Sequence, residues 1–145
     1  MCGGAHLTFL PSGELLAADS NGDAKRINPT TGAVTYLGSY GGTYGSSGDL
    51  VAVASGQMFG TAPGSSSDLL VKVNTATGVA TNVGPTRKSS VWGLAYAGAR
   101  VIGFTTGGEI VKIDPATGTT TLLASTSTSF WGAGQSPLVI ASGCP

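Results

Sequence analysis

The stretch RINPTTG at residues 26–32 is repeated twice more, as KVNTATG at 72–78 and as KIDPATG at 112–118. The glycines that close these three copies are 46 and 40 residues apart. Self-similarity at such a period indicates a repeat architecture, in which each repeat is one small unit that packs against the next. The repeat therefore decides the fold class and leaves the function open.

Each copy of the stretch predicts the turn of a β-hairpin. In the strand-like stretch Glu109-Ile110-Val111-Lys112-Ile113, a cation lies between apolar neighbours. The β-branched residues of this stretch favour a strand. An Asp or Asn side chain can accept hydrogen bonds from the backbone that follows it, proline presets φ, and glycine adopts a left-handed conformation without strain. Strand-like segments follow each turn, at 33–37, 79–83 and 119–123. The second copy has Thr75 in place of proline, so the turn tolerates variation.

Two more strands precede each hairpin, which gives four antiparallel strands per repeat. The expected first strands are 6–10, 49–53 and 91–96, and the expected second strands are 14–18, 57–61 and 100–105. Asn21-Gly22 predicts a two-residue turn in which both residues have positive φ. No stretch has a helical period. Four strands in up-and-down order make one blade of a β-propeller, so the fold class is all-β.

The blade count is three and a half. Full blades are expected at about 4–42, 43–88 and 89–128, and a half blade at 129–145, where Phe130–Gly134 echoes Val91–Ala95 and Pro137–Ala141 echoes a second strand. The chain is thus one partial propeller domain, 1–145. Rings usually close with about four to eight blades. We therefore expect copies to associate, as a homodimer or a head-to-tail polymer; a fragment of a longer chain and an unusually small ring are the alternatives.

Composition restricts the partners and the location. Charged residues are 10% of the chain and the net charge is zero, which excludes the electrostatic footprint of a nucleic-acid or anionic-membrane binder. No apolar run is long enough to span a bilayer. The abundance of Ser, Thr and Gly is typical of secreted or cell-surface β-proteins. The chain carries no signal peptide, and we expect that a natural leader has been removed.

The two cysteines lie near the ends of the chain, at Cys2 and Cys144. The ends of a half ring are too far apart for the roughly 6 Å between Cα atoms that a disulfide needs. We therefore expect a disulfide between copies, which would close a ring or link a polymer. Two unrelated thiols, or a lipidated Cys2, are the alternatives.

The repeat Ile-Asp-Pro-x-Thr-Gly at 113–118, preceded by Lys112, resembles the blades of secreted bacterial β-propellers in the group that includes quinoprotein-like and related Asp-Pro-x-Thr-Gly repeats. The resemblance covers nearly the whole chain. It implies the fold and an extracellular location but no particular activity, because such groups contain binding scaffolds, surface proteins and some enzymes. Acidic calcium ligands of a quinone enzyme cannot be assigned here, so we expect no cofactor.

Few residues suggest catalysis or metal binding. His6 is the only histidine, and a nucleophilic triad would need a serine and an acid beside it. Asp19, Asn21 and Asp23 faintly resemble the start of a calcium loop, but the glycine comes early and the closing glutamate is missing. A hairpin turn is the preferred interpretation of this stretch. We expect no catalytic residue and no metal site.

Two sets of repeated side chains are candidate ligand-binding residues. Equivalent positions of the three repeats hold Arg26, Lys72 and Lys112. They could form a ring of cations that binds an anion. The preferred interpretation is that each side-chain stem packs between blades while its charged head lies near an Asp or Asn. Trp92 and Trp131 are 39 residues apart at the start of first strands. Such aromatics could stack on sugars, although a repeated aromatic is more often inter-blade core.

Three functions follow from these observations. The preferred one is a non-enzymatic extracellular module for protein interaction or structural self-assembly, with copies of itself or another surface protein as partner. The first alternative is a carbohydrate-binding propeller that takes a glycan. The second is an enzyme with a site between two half-rings, for which Asp49, Asp68 and Glu109 are the available carboxylates.

Overall fold

The computed structural model describes residues 6–135, which form twelve β-strands and no helix. The strands make three antiparallel four-stranded sheets, and in each sheet they pair in chain order. Each sheet corresponds to one sequence repeat, so the expected blades are present. Their strands are β1 His6–Phe9, β2 Leu15–Ala18, β3 Asp23–Ile27 and β4 Val34–Ser39; β5 Leu50–Ala52, β6 Met58–Ala62, β7 Leu69–Val73 and β8 Ala80–Pro85; β9 Val91–Ala97, β10 Arg100–Thr105, β11 Glu109–Ile113 and β12 Thr120–Ser125.

The blades stack face to face, and a hydrophobic core fills each of the two interfaces between them. We call the face of a blade that points to the following blade its front face and the opposite one its rear face. The first core joins the front of blade one to the rear of blade two, and the second joins the front of blade two to the rear of blade three. Their main members are Leu16, Ala18, Leu50, Met58, Val71 and Val73 in the first, and Val51, Phe59, Leu70, Val101, Val111 and Ile113 in the second.

The repeated hairpin turn forms as the sequence predicts. In blade two the side-chain Oδ1 of Asn74 accepts hydrogen bonds from the amides of Ala76 and Thr77, at 2.9 and 3.1 Å. The amide of Gly78 donates to the Asn74 carbonyl at 2.8 Å, and Gly78 has φ +74°. Asn28 and Asp114 hold equivalent turns.

These turns also dock one blade on the next, which the sequence analysis missed. The turn of blade two lies against Gly38 in β4, and the turn of blade three lies against Gly84 in β8. A Cβ atom on either glycine would overlap a turn carbonyl, that of Thr77 or Thr117. Neither Gly38 nor Gly84 has positive φ, so the need for glycine is steric.

The prediction for Asn21-Gly22 was wrong in its turn type. Gly22 has φ +82°, but Asn21 does not have positive φ. The loop has three residues because Oδ1 of Asp19 accepts the amides of Asn21 and Asp23, which favours a tight first turn before the glycine. The two-residue turn with two positive φ values lies instead at Gly98-Ala99.

The predicted half blade is only partly supported. Residues 126–135 contain no strand, but Phe130 donates its amide to the Thr105 carbonyl, much as Ser47 does to Thr61 before β5. The segment thus follows the path of a first strand without the pairing of one, because no second strand lies beside it among the described residues. The expected second strand Pro137–Ala141 and both Cys2 and Cys144 lie outside the described residues.

Candidate functional site

The first strands of the three blades converge at one cavity of about 240 Å³, which the segment 133–135 completes. Asp49 lies at its edge: Oδ1 is 3.6 Å from Nδ1 of His6, and Oδ2 accepts the amide of Ala133 at 2.6 Å. Gln135 donates to the Ala52 carbonyl at 2.9 Å and accepts the amide of Tyr96. The polar groups here mainly fix the segment 133–135 onto the first strands of blades two and three, β5 and β9.

His6 therefore has the acid that a triad requires but not the nucleophile. Its described neighbours include Asp49, and no serine or threonine hydroxyl in residues 6–135 is hydrogen-bonded to it. An imidazole beside a carboxylate acts as the general base of a triad only if a nucleophile lies within hydrogen-bond reach of it.

The other two carboxylates considered for an enzyme have their own structural partners. Asp68 is buried and accepts the amide of Val91 at 2.7 Å, which links blade two to the start of blade three. Burial raises the pKa of this carboxyl group, while the hydrogen bond from Val91 opposes that effect. Glu109 is bonded to Nζ of Lys88 at 2.6 Å.

The weak calcium candidate has a turn geometry. Oδ1 of Asp19 is used by the turn amides and Oδ2 lies 2.5 Å from Nζ of Lys25. The bond to Lys25 lowers the pKa of Asp19, against a smaller opposing effect of burial. Within residues 6–135 no three His, Cys, Asp or Glu side chains are grouped closely enough to hold a metal. Asn21 and Asp23 contribute their backbone amides to this turn.

The three repeated cations do not form a ring around the centre. They lie on the third strands β3, β7 and β11, on the front face of each blade, and not on the first strands that line the cavity. Nε of Arg26 is 3.0 Å from Oε1 of Glu14, and the pair borders an open groove of about 560 Å³ on blade one. Lys72 and Lys112 are exposed. Among the ion pairs of residues 6–135, the head of Arg26 meets an acid and those of Lys72 and Lys112 do not.

Trp92 and Trp131 lie in contact with each other. Their ring centroids are 5.1 Å apart and the planes are nearly perpendicular. The rings of Phe130 and Phe104 are also in contact, with centroids 5.3 Å apart and planes inclined at 61°. The segment 126–135 thus covers the inner part of the front face of blade three, the part formed by β9 and β10. Trp131 remains 68% exposed. The two indoles thus form one aromatic contact at the surface of the described residues.

The rear face of blade one is an exposed apolar surface, as expected for a terminal blade of an open stack. Leu7 and Val34 are 53% and 59% exposed there, whereas their counterparts in blade two, Leu50 and Ala80, are 3% and 8% exposed. The same face carries Phe9, Leu15 and Ile27, at positions whose equivalents in blade two are buried. The apolar pattern of this face is thus that of a face which is covered in the other blades.

Comparison with solved structures agrees with this architecture. No protein-family model and no curated protein matches the chain. An auxiliary nutrient binding protein from Bacteroides thetaiotaomicron is similar with 16% identity and a TM-score of 0.60, over 86% of this chain and 31% of that one. Puromycin hydrolase is similar with 20% identity and a TM-score of 0.54, over 81% and 20%. BamB from Moraxella catarrhalis is similar with 21% identity and a TM-score of 0.54, over 77% and 33%.

These likenesses establish the fold as a partial β-propeller. The chain spans about a third or less of each of the three solved proteins. Since the identities are below 25%, the binding and catalytic activities in their names do not transfer to this chain. Among residues 6–135 no helix has the length and hydropathy that a membrane span requires.

Proposed function

We propose that this chain is a non-enzymatic protein-interaction module of the extracellular space or the cell surface, which binds another polypeptide through the rear face of blade one. The observation that carries the proposal is the exposure of Leu7 and Val34 at positions where the next blade is almost fully buried. An apolar face of this kind favours a covering partner, because burying it removes apolar surface from water.

The face is also shaped for binding a protein more than a small molecule. It is the flat side of a four-stranded sheet, and its counterparts in blades two and three each bury a complete apolar row against a neighbouring sheet. The low charge of the chain supports a partner recognised by shape and apolar contact. The extracellular location is supported by the Ser/Thr-rich composition and by the resemblance to secreted propellers.

Site-specific photo-crosslinking tests this function. The photoreactive residue p-benzoylphenylalanine replaces Val34 on the rear face, and in a matched control it replaces Val79, an exposed valine beside the second turn. Illumination in cells that make the protein is expected to give a discrete crosslinked polypeptide from position 34 and none from position 79. The absence of a crosslink at 34, or equal crosslinks at both positions, would refute the function.

Association of copies is the alternative form of this function. It is supported by the blade count, and the expected disulfide between Cys2 of one copy and Cys144 of another would link the copies. Light scattering after size exclusion would give twice the monomer mass for a closed ring and larger masses for a polymer, and reductant would reduce either to the monomer. A monomeric mass with and without reductant excludes this form.

Carbohydrate binding is a second candidate function, favoured by the contact between Trp92 and Trp131. An exposed indole face such as that of Trp131 can stack on a sugar ring. Titration with soluble oligosaccharides of β-linked glucose, galactose and N-acetylglucosamine should then change the tryptophan fluorescence, and Trp131→Ala should abolish the response. An unchanged spectrum with all three argues against it.

An enzyme with a site between two half-rings receives less support. The carboxylates it would use, Asp49, Asp68 and Glu109, contact different parts of the chain. The binding function is therefore preferred.

A further inference from the structure

We propose that the partner on the rear face of blade one is a propeller blade of a different polypeptide, and that this blade has glycine at the position of Gly38 and Gly84 in its fourth strand. The inference rests on the proposed function and names the chemistry of the partner. It starts from the inter-blade interface that the molecule already contains twice.

In both internal interfaces a turn meets a glycine. Thr77 and Gly78 lie on Gly38, and Thr117 and Gly118 lie on Gly84. The amide of Ala80 then donates to the Tyr40 carbonyl at 3.0 Å, and the hydroxyl of Thr120 donates to the Thr86 carbonyl at 2.8 Å. The approach is so close that any side chain at the glycine position would enter the turn.

Blade one carries the same turn, and within residues 6–135 no other blade lies against it. Its hydrogen bonds match those of the two docked turns: Asn28 Oδ1 accepts two amides and the amide of Gly32 donates to the Asn28 carbonyl at 2.8 Å. Gly78 and Gly118 are buried, whereas no atom lies within 4 Å of a Cβ built on Gly32. The turn and the apolar face beside it are thus preformed for the same kind of docking.

The third blade of a second copy does not fit this requirement. The residue that corresponds to Gly38 and Gly84 is Ala124, six residues after its turn glycine and paired with Ile110 as Gly84 is paired with Leu70. Its methyl group occupies the place that the turn of blade one would need. Phe130 also covers Phe104 on the inner part of that face. Blade three of a second copy therefore does not supply the docking blade.

The rear face of blade one carries one charged pair that the internal interfaces lack. Lys25 stands where blades two and three have the buried Val71 and Val111, and Asp19 neutralises it at 2.5 Å. A docking blade thus covers an ion pair and not a lone charge, which limits the desolvation cost. We expect the partner blade to present a polar group at this point.

A tethered surrogate blade tests the inference. A copy of residues 6–47 is fused to the N-terminus of the complete chain, so that its Gly38 faces the native blade one as Gly38 normally faces blade two. The added copy carries Leu7→Thr and Val34→Thr, which keep its own rear face polar and distinguish its peptides by mass. A matched version also carries Gly38→Ala; the native Ala124 indicates that a blade accommodates alanine there.

Hydroxyl-radical footprinting of native Leu7 and Val34 is the measurement, with native Val79 as the internal control. We expect the reactivity of Leu7 and Val34 to fall at least fivefold with the glycine version and to stay unchanged with the Gly38→Ala version. Equal protection by both versions would overturn the glycine requirement and leave the proposed function standing. Protection by neither would show that the face does not accept a blade, and the crosslinking experiment would then decide the proposed function separately.

Discussion

The hydroxyl group of Tyr40 lies in the core between blades one and two, where the side chain is almost fully buried. Within the described residues its oxygen has no hydrogen-bond partner. Burial raises the pKa of Tyr40 from the usual 10 to about 12, because the phenolate would lose its hydration. The folded chain therefore holds this proton more tightly than the unfolded chain does.

This difference predicts a loss of stability in alkali. The contribution of Tyr40 is complete below pH 10 and falls as the pH rises towards 12, by about 1.4 kcal/mol per pH unit. Tyr40→Phe should remove that part of the slope and leave stability at pH 8 equal or higher, since an unpaired buried hydroxyl is unfavourable. Urea unfolding of both proteins from pH 8 to 12 measures it. Parallel curves for the two proteins would contradict the prediction.

Among the secondary-structure elements, the hairpin turns and strands are the features that the sequence predicted correctly. The Asx-x-x-Thr-Gly turns were predicted because their hydrogen bonds lie within six residues. The strands followed from alternation, and most predicted bounds differ by one or two residues from those observed. The turn at Asn21-Gly22 was wrong because the Asp19 carboxylate competes for its amides.

The remaining features depend on neighbours distant in sequence. Gly38 and Gly84 are required by turns about 40 and 33 residues away, so nothing local distinguishes them from other glycines. The contact between Trp92 and Trp131 depends on the path of the segment 126–135. The repeat suggested that the two tryptophans were equivalent, and equivalence in a repeat does not predict mutual contact.

The turn at Gly98-Ala99 gives a prediction for a single hairpin. Ala99 has φ +60°, a left-handed conformation that costs an L-residue about 1–2 kcal/mol. Ala99→Gly should relieve this strain at the expense of some chain entropy, for a net stabilisation of about 0.5–1 kcal/mol. In the control, Ala97→Gly in β9 should destabilise by about 0.5–1 kcal/mol, because glycine loses more conformational entropy than alanine when the strand folds. Urea midpoints that shift in the same direction for both variants would contradict this assignment.

At the scale of the whole molecule, the stack is a one-dimensional assembly in which each blade contacts its neighbours. Stability in such assemblies is approximately the sum of the units and their interfaces. Blade two has an interface on each side, whereas blade three depends on its interface with blade two and on the segment 126–135. Blades one and three each share one interface with blade two, and Trp92 and Trp131 allow the interface between blades two and three to be followed by fluorescence.

Gly84→Ala should weaken that interface selectively. The new methyl group would overlap the Thr117 carbonyl, and overpacking of this kind costs about 1–3 kcal/mol. Because Trp92 and Trp131 both report on blade three, their fluorescence should change at a lower urea concentration than the circular dichroism of the whole chain. Gly134→Ala is the matched control, since no atom of residues 6–135 lies within 4 Å of a Cβ at that position. If the fluorescence and dichroism transitions of Gly84→Ala coincide at the wild-type midpoint, the docking of turns on glycines does not hold the blades together, and the partner requirement inferred from it fails as well.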